Sequence, residues 1–130
     1  MKIHPLKPPR DENQIKDAGF QLLKTAQALG IEFDAQGFLQ AWLQPSIRVY
    51  VAEDNGEPRG LGVMAFGQKW HDSEVSATVL LCEGPARQDI LRDMAAAAGV
   101  LGAVKLYVEV KPGDHFTQPH KLLTVAEVEV

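Results

Sequence analysis

Residues 79–91 constrain the fold of this chain more than any other stretch. Val79-Leu80-Leu81-Cys82 reads as a buried strand, Glu83-Gly84-Pro85 as a break with almost no loop, and Ala86 to Leu91 as the first turns of a helix. The helical pattern runs on to a glycine at 99 or 102, and a second apolar strand follows at Lys105-Leu106-Tyr107-Val108-Glu109-Val110. A strand–helix–strand unit of this length is a right-handed crossover between parallel strands. Ligands in such sheets gather where a strand hands over to a helix, because the first N–H groups of the helix lack partners inside it. Residues 83–87 are therefore the first place to look for a site.

The rest of the chain supplies the other elements. Met1 to Leu6 is predicted as a short first strand closed by Pro8-Pro9. Asp11 followed by Gln14 fits a capping box, with Ile15, Ala18, Leu22, Leu23, Ala26 and Leu29 at helical spacing and Gly30 as the stop. Asp34 caps a second helix bearing Phe38, Leu39, Trp42 and Leu43 and ending at Pro45. Ile47 to Glu53 alternates as a strand, Asn55-Gly56 is a hairpin turn, and Gly60 to Gly67 returns. The glycines in that returning strand suit close approach by another backbone or a bulge. Residues 68–73 make a polar tip that exposes Trp70 and His71, and 74–82 form a third antiparallel strand.

The third helix is predicted to start at Pro85, whose missing N–H costs nothing at a first helical position. Its buried stripe is Ile90, Leu91, Met94, Ala95, Ala98 and Leu101. Pro112 and Pro119 leave 111–124 irregular, and Val125 to Val130 is a last alternating strand. With 130 residues the chain is expected to be one domain over residues 1–130, of α/β (α+β) class.

The balance of 13 Lys and Arg against 17 Asp and Glu gives a net charge of −4, which speaks against a nucleic-acid or membrane-surface partner. One cysteine excludes an internal disulfide, and neither a signal-peptide core nor a stretch of bilayer length is present, so a cytoplasmic location is expected. His71, His115 and His120 lack metal-ligand spacing, and no metal is expected.

The element order strand, helix, helix, three antiparallel strands, helix, parallel strand, short helical or irregular piece, strand resembles the GNAT superfamily of N-acetyltransferases. The resemblance covers nearly the whole chain. Its best local match runs from Ile90 to Ala98 and from Gly102 to Val110, similar to that family's central helix and fifth strand, with Val110-Lys111-Pro112-Gly113-Asp114 as the strand exit. It implies a mixed, mostly antiparallel sheet with helices on both faces, in the order β-α-α-β-β-β-α-β-(α)-β. It also implies acetyl-CoA as cofactor and a small-molecule or protein amine as acceptor.

The family's loop, Gln/Arg-x-x-Gly-x-Gly/Ala, holds the cofactor pyrophosphate on backbone N–H groups. It falls on Cys82, Glu83, Gly84, Pro85, Ala86 and Arg87. The resemblance thus implies Cys82, Gly84, Ala86, Arg87 and Gln88 as cofactor-binding residues and Glu83 as the base. The loop's glycines are largely replaced, Pro85 lacks an N–H, and Glu83 sets a negative charge beside the phosphate position. Asp114 stands near the place of the family's Asn, no acidic Tyr follows it, and the family's final strand is missing from the predicted order.

Each residue also has a plainer role. Glu83 suits the dipole at the start of the third helix, and Cys82 suits a buried apolar position. Two functions follow. One is acetyl-CoA-dependent N-acetyl transfer through an atypical cofactor site. The other is a catalytically inactive GNAT-like domain acting as a protein-binding or structural module, of the kind found among phage-encoded or accessory proteins. The last strand, with Val125, Val128 and Val130 and only two glutamates, is expected to be an open edge for a homodimer or protein partner.

Overall fold

The computed structural model describes residues 1–6, 8–32, 34–42, 46–68, 75–114, 120–121 and 125–129. Its elements are β1 (Lys2–Leu6), α1 (Glu12–Leu29), α2 (Ala35–Trp42), β2 (Ile47–Asp54), β3 (Glu57–Gln68), β4 (Val75–Glu83), α3 (Arg87–Val100), β5 (Ala103–Glu109), β6 (His120–Lys121) and β7 (Val125–Glu129). The seven strands form one sheet in the order β1-β2-β3-β4-β5-β7-β6. Only β4 and β5 pair in parallel among the described strands; the other neighbours are antiparallel. This is the expected mixed sheet, and the expected (α) piece after β5 lies outside the described residues.

Strand alternation splits the core between the two faces of the sheet. Val49, Val51, Leu61 and Val63 point to one face, where they pack with Leu22 of α1 and Trp42 of α2. Tyr50, Ala52, Met64, Leu106 and Val108 point to the other, against Ile90, Leu91 and Met94 of α3. Helices thus cover both faces.

Local chemistry sets the helix ends. The Asp11 carboxylate accepts the Gln14 N–H at 2.8 Å, while the Gln14 side-chain oxygen accepts the Arg10 N–H, one residue earlier than a strict capping box would place it. At the far end of α1, Gly30 adopts the left-handed conformation and Ile31 N–H donates to Ala26 O. Asp34 caps α2 as expected, its carboxylate accepting the Gly37 N–H. Asn55 and Gly56, both at positive φ, make the two-residue hairpin turn between β2 and β3.

Several expectations change. Leu23 and Leu101 are 38% and 50% exposed, so neither belongs to its predicted buried stripe. Trp42 is buried as expected, whereas the Leu39 and Leu43 side chains and residues Trp70 and His71 lie outside the described residues. The glycines of β3 make room for side chains as well as for the expected backbone: a Cβ on Gly60 would meet Ile90 and the backbone Glu83 O, and one on Gly62 would meet Met94 and Ile90. The last strand is not missing. β7 lies between β5 and the two-residue β6, which pairs with Val128 and Glu127, so β7 is not the open edge that the sequence suggested.

Candidate functional site

β4 carries the feature that opens the site. Its register with β3 slips between Val63↔Leu81 and Met64↔Val79, which leaves Leu80 as the extra residue of a bulge. A bulge bends its strand and breaks the ladder locally. Leu80 is accordingly 58% exposed, so the end of β4 is less buried than its apolar sequence predicts. Parallel pairing between β4 and β5 runs from Val75 to Thr78 and ends there. Beyond it the strands diverge around a cavity of about 260 Å³, walled by Val79, Leu81, Cys82 and Val108 and bordered by Glu83, Arg87 and Lys111.

The turn from β4 into α3 is pressed onto β3. Gly84 has φ +108°, and a Cβ there would lie 2.5 Å from Arg59 O and 2.9 Å from Gly60 Cα. Ala86 N–H donates to Arg59 O at 2.9 Å and Arg87 N–H donates to Gly84 O at 3.1 Å. The first helical residue is therefore Arg87, with Ala86 as N-cap, and Pro85 belongs to the preceding turn rather than to the helix as predicted. Two N–H groups that could have faced an anion are spent on holding the turn in place.

Arg87 turns its side chain back across the diverging strands. Its Nη1 donates to Cys82 O on β4 at 2.6 Å, and its Nη2 donates to Glu109 O on β5 at 2.9 Å. Nε and Nη2 also meet both oxygens of Asp114, at 3.0 and 2.8 Å. Such a two-point guanidinium–carboxylate pair is strong and directional. The two side chains are only 13% and 5% exposed.

Asp114 is brought there by the turn at Lys111-Pro112-Gly113-Asp114, where Gly113 at φ 89° follows Pro112 and Asp114 N–H donates to Lys111 O. The Asp114 carboxylate also accepts the Lys111 N–H at 2.8 Å. The bond from Arg87 holds the Asp114 carboxyl below its ordinary value, against the opposing effect of burial, and Asp114 in turn raises Arg87.

The other predicted site residues fall into place around this pair. Glu83, at the strand end, is ion-paired to Lys111 Nζ, both side chains being about one-third exposed. Cys82 is buried; desolvation pushes its thiol up to about 12, and Sγ lies 3.6 Å from Arg87 O. It is a neutral core thiol. Gly84 and Ala86 form the turn, and Gln88 is half-buried in the first turn of α3. The structure thus gathers Cys82, Glu83, Gly84, Ala86, Arg87 and Gln88 at one junction. Sequence reasoning missed Asp114 as the partner of Arg87 and Lys111 as the partner of Glu83. The Pro-Gly turn signalled that the chain folds back there, but not onto which residue.

These residues do not fit a pyrophosphate cradle. The N–H groups of Ala86 and Arg87 are occupied by carbonyls, Pro85 has none, the Arg87 guanidinium is engaged by Asp114, and the Glu83 carboxylate stands at the same end. Among the described residues no group of three His, Cys, Asp or Glu could hold a metal ion, and no helix is long and apolar enough to cross a membrane.

No protein-family model and no curated protein matches the sequence. Solved structures do match in fold. One is an aminoglycoside acetyltransferase from an uncultured soil metagenomic sample, in complex with sisomicin: TM-score 0.62, 14% identity, 85% of this chain and 78% of that one covered. Another is a GNAT family acetyltransferase of Staphylococcus aureus, at TM-score 0.59 and 12% identity, with 92% and 99% covered. A third is a ribosomal-protein-alanine N-acetyltransferase of Brucella melitensis, at TM-score 0.54 and 14% identity, with 87% and 83% covered. Identities this low carry the architecture and nothing finer, and in architecture the chain has a GNAT-like fold.

Proposed function

We propose that this chain keeps the acetyltransferase scaffold and works as a binding module that does not transfer acyl groups from coenzyme A. The observation that supports this reading is the state of the α3 N-terminus. Its turn donors go to Arg59 O and Gly84 O, and the nearby cations Arg87 and Lys111 are paired with Asp114 and Glu83. A doubly charged phosphate linkage approaching that end would find the Glu83 carboxylate and would not find the Ala86 and Arg87 N–H groups free. Fold alone does not decide between these functions, and the residues at the site support the module.

The partner of such a module is a protein or a second copy of the chain. Light scattering on concentrated protein tests the second-copy form, and a monomer throughout would overturn it.

The alternative is acetyl-CoA-dependent N-acetyl transfer to a small-molecule or protein amine, with Glu83 or a water as base. The cavity between β4 and β5 favours it, since it lies beside Glu83. Titration calorimetry and thermal shift with acetyl-CoA separate the two. A ligand held about a hundredfold above its dissociation constant stabilises the native state by about 2.7 kcal/mol. The module reading expects no heat and no shift at about 1 mM acetyl-CoA. A clear shift, or release of free thiol with an amine present, would overturn it.

A further inference from the structure

The outward face of α1 carries an apolar pair that belongs to neither core of the described residues. Leu22, Thr25 and Ala26 turn inward and are buried. At roughly 100° per residue, Phe20 and Leu23 fall on the outer side, and they are 71% and 38% exposed. Lys16, Phe20, Leu23 and Gln27 follow one another at the alternating four- and three-residue steps by which one helix packs along another. Asp17 and Lys24, both exposed, flank this stripe on one side. They stand about 10 Å apart along the axis, too far to pair within one copy.

The stripe is complementary to itself when a second α1 runs antiparallel to it. Phe20 of each copy then lies against Leu23 of the other. The same register brings Lys24 of one copy and Asp17 of the other to one flank, within about 3 Å along the axis, and the two-fold axis makes two such ion pairs. Lys16 meets Gln27 of the other copy, at a helix end whose last turn has no basic residue of its own to face the dipole. A parallel pair would instead set Lys16 against Lys16.

We propose that the outer face of α1 docks a second copy of this chain as an antiparallel α1–α1 pair about a two-fold axis. The pair covers less than about 1,200 Å², at the low end of specific interfaces, so the dimer is weak and forms as concentration rises. α1 lies on the opposite face of the sheet from α3, so the contact leaves the β4–α3 junction open and is independent of acyl transfer there. It rests on the second-copy form of the proposed function.

Sedimentation equilibrium on the full chain from about 10 µM to about 1 mM tests it, and wild type is expected to dimerise in that range. Phe20→Gln, an exposed change to a good helix former, is expected to raise the dissociation constant about tenfold or more. Asp17→Lys makes the flank wholly basic and Lys24→Glu makes it wholly acidic, so each alone is expected to weaken the dimer about fivefold. An equimolar mixture of those two variants restores opposite charges across the contact and is expected to dimerise at least as well as wild type, a rescue that no effect within one chain produces. A monomer at every concentration would overturn the contact together with the second-copy form. A dimer indifferent to Phe20→Gln, or a mixture no stronger than either variant alone, would overturn the α1 contact and leave the second-copy form standing.

Discussion

Replacing Gly84 with alanine tests how the β4–α3 turn is held. Gly84 has φ +108°, and the added Cβ would lie 2.5 Å from Arg59 O and 2.9 Å from Gly60 Cα. Both atoms are backbone of β3, a central strand, so neither can step aside as a side-chain tip would. Left-handed backbone costs a residue with a Cβ about 1–2 kcal/mol. Relieving the overlap moves the turn off β3 and weakens the bond from Ala86 N–H to Arg59 O, for about 1 kcal/mol more. With residual overpacking the loss comes to about 3–4 kcal/mol.

Two controls separate these contributions. Gly56 has φ +80° and nothing within 4 Å of its built Cβ, so Gly56→Ala carries the conformational cost alone, about 1–2 kcal/mol. Gly67 lies in a strand with open space around its Cβ, and Gly67→Ala is expected to be neutral or stabilising by about 0.5 kcal/mol. Urea unfolding followed by fluorescence gives the three midpoints at a common slope. A loss in Gly84→Ala no larger than that in Gly56→Ala would refute the claim that the turn is clamped against β3.

Asp114→Ala strands a guanidinium that is 13% exposed and is expected to cost about 3 kcal/mol. A double-mutant cycle with Arg87→Met should return a coupling of about 2 kcal/mol, and additivity within about 0.5 kcal/mol would count against the pair. The Asp114 carboxyl is held below its ordinary value, so its contribution is present above about pH 4 and lost as pH falls through the lower folded value. The stability gap between wild type and Asp114→Ala therefore narrows on acidification below that point. Cys82, with its thiol pushed up to about 12 by burial, should react with iodoacetamide at neutral pH far more slowly in the folded chain than in urea. Equal rates would show that the thiol is accessible.

Much of the architecture was legible because it is written in local patterns. Alternation in 47–53 placed β2, the Asn55-Gly56 dipeptide placed the hairpin, and Asp11, Gly30 and Asp34 placed helix ends. Each of these depends on residues a few positions apart. The order of elements then limited the fold to a mixed sheet with helices on both faces, and the position of the candidate site followed from it. Leu23 and Leu101 misled because helical spacing marks a stripe, while the partner surface decides how wide a stripe is covered.

The sequence by itself determined most of the elements and their order, β6 excepted, and the Glu83-Gly84-Pro85 break between β4 and α3. Only the tertiary structure decided which groups meet at that break. The bulge at Leu80 depends on register against β3, and the opening between β4 and β5 depends on where parallel pairing stops. Arg87 and Asp114 stand 27 positions apart, and Glu83 and Lys111 stand 28 apart. No local periodicity links such positions. The crossover through α3 brings the two strand ends side by side, and only then can a guanidinium reach carbonyls on both.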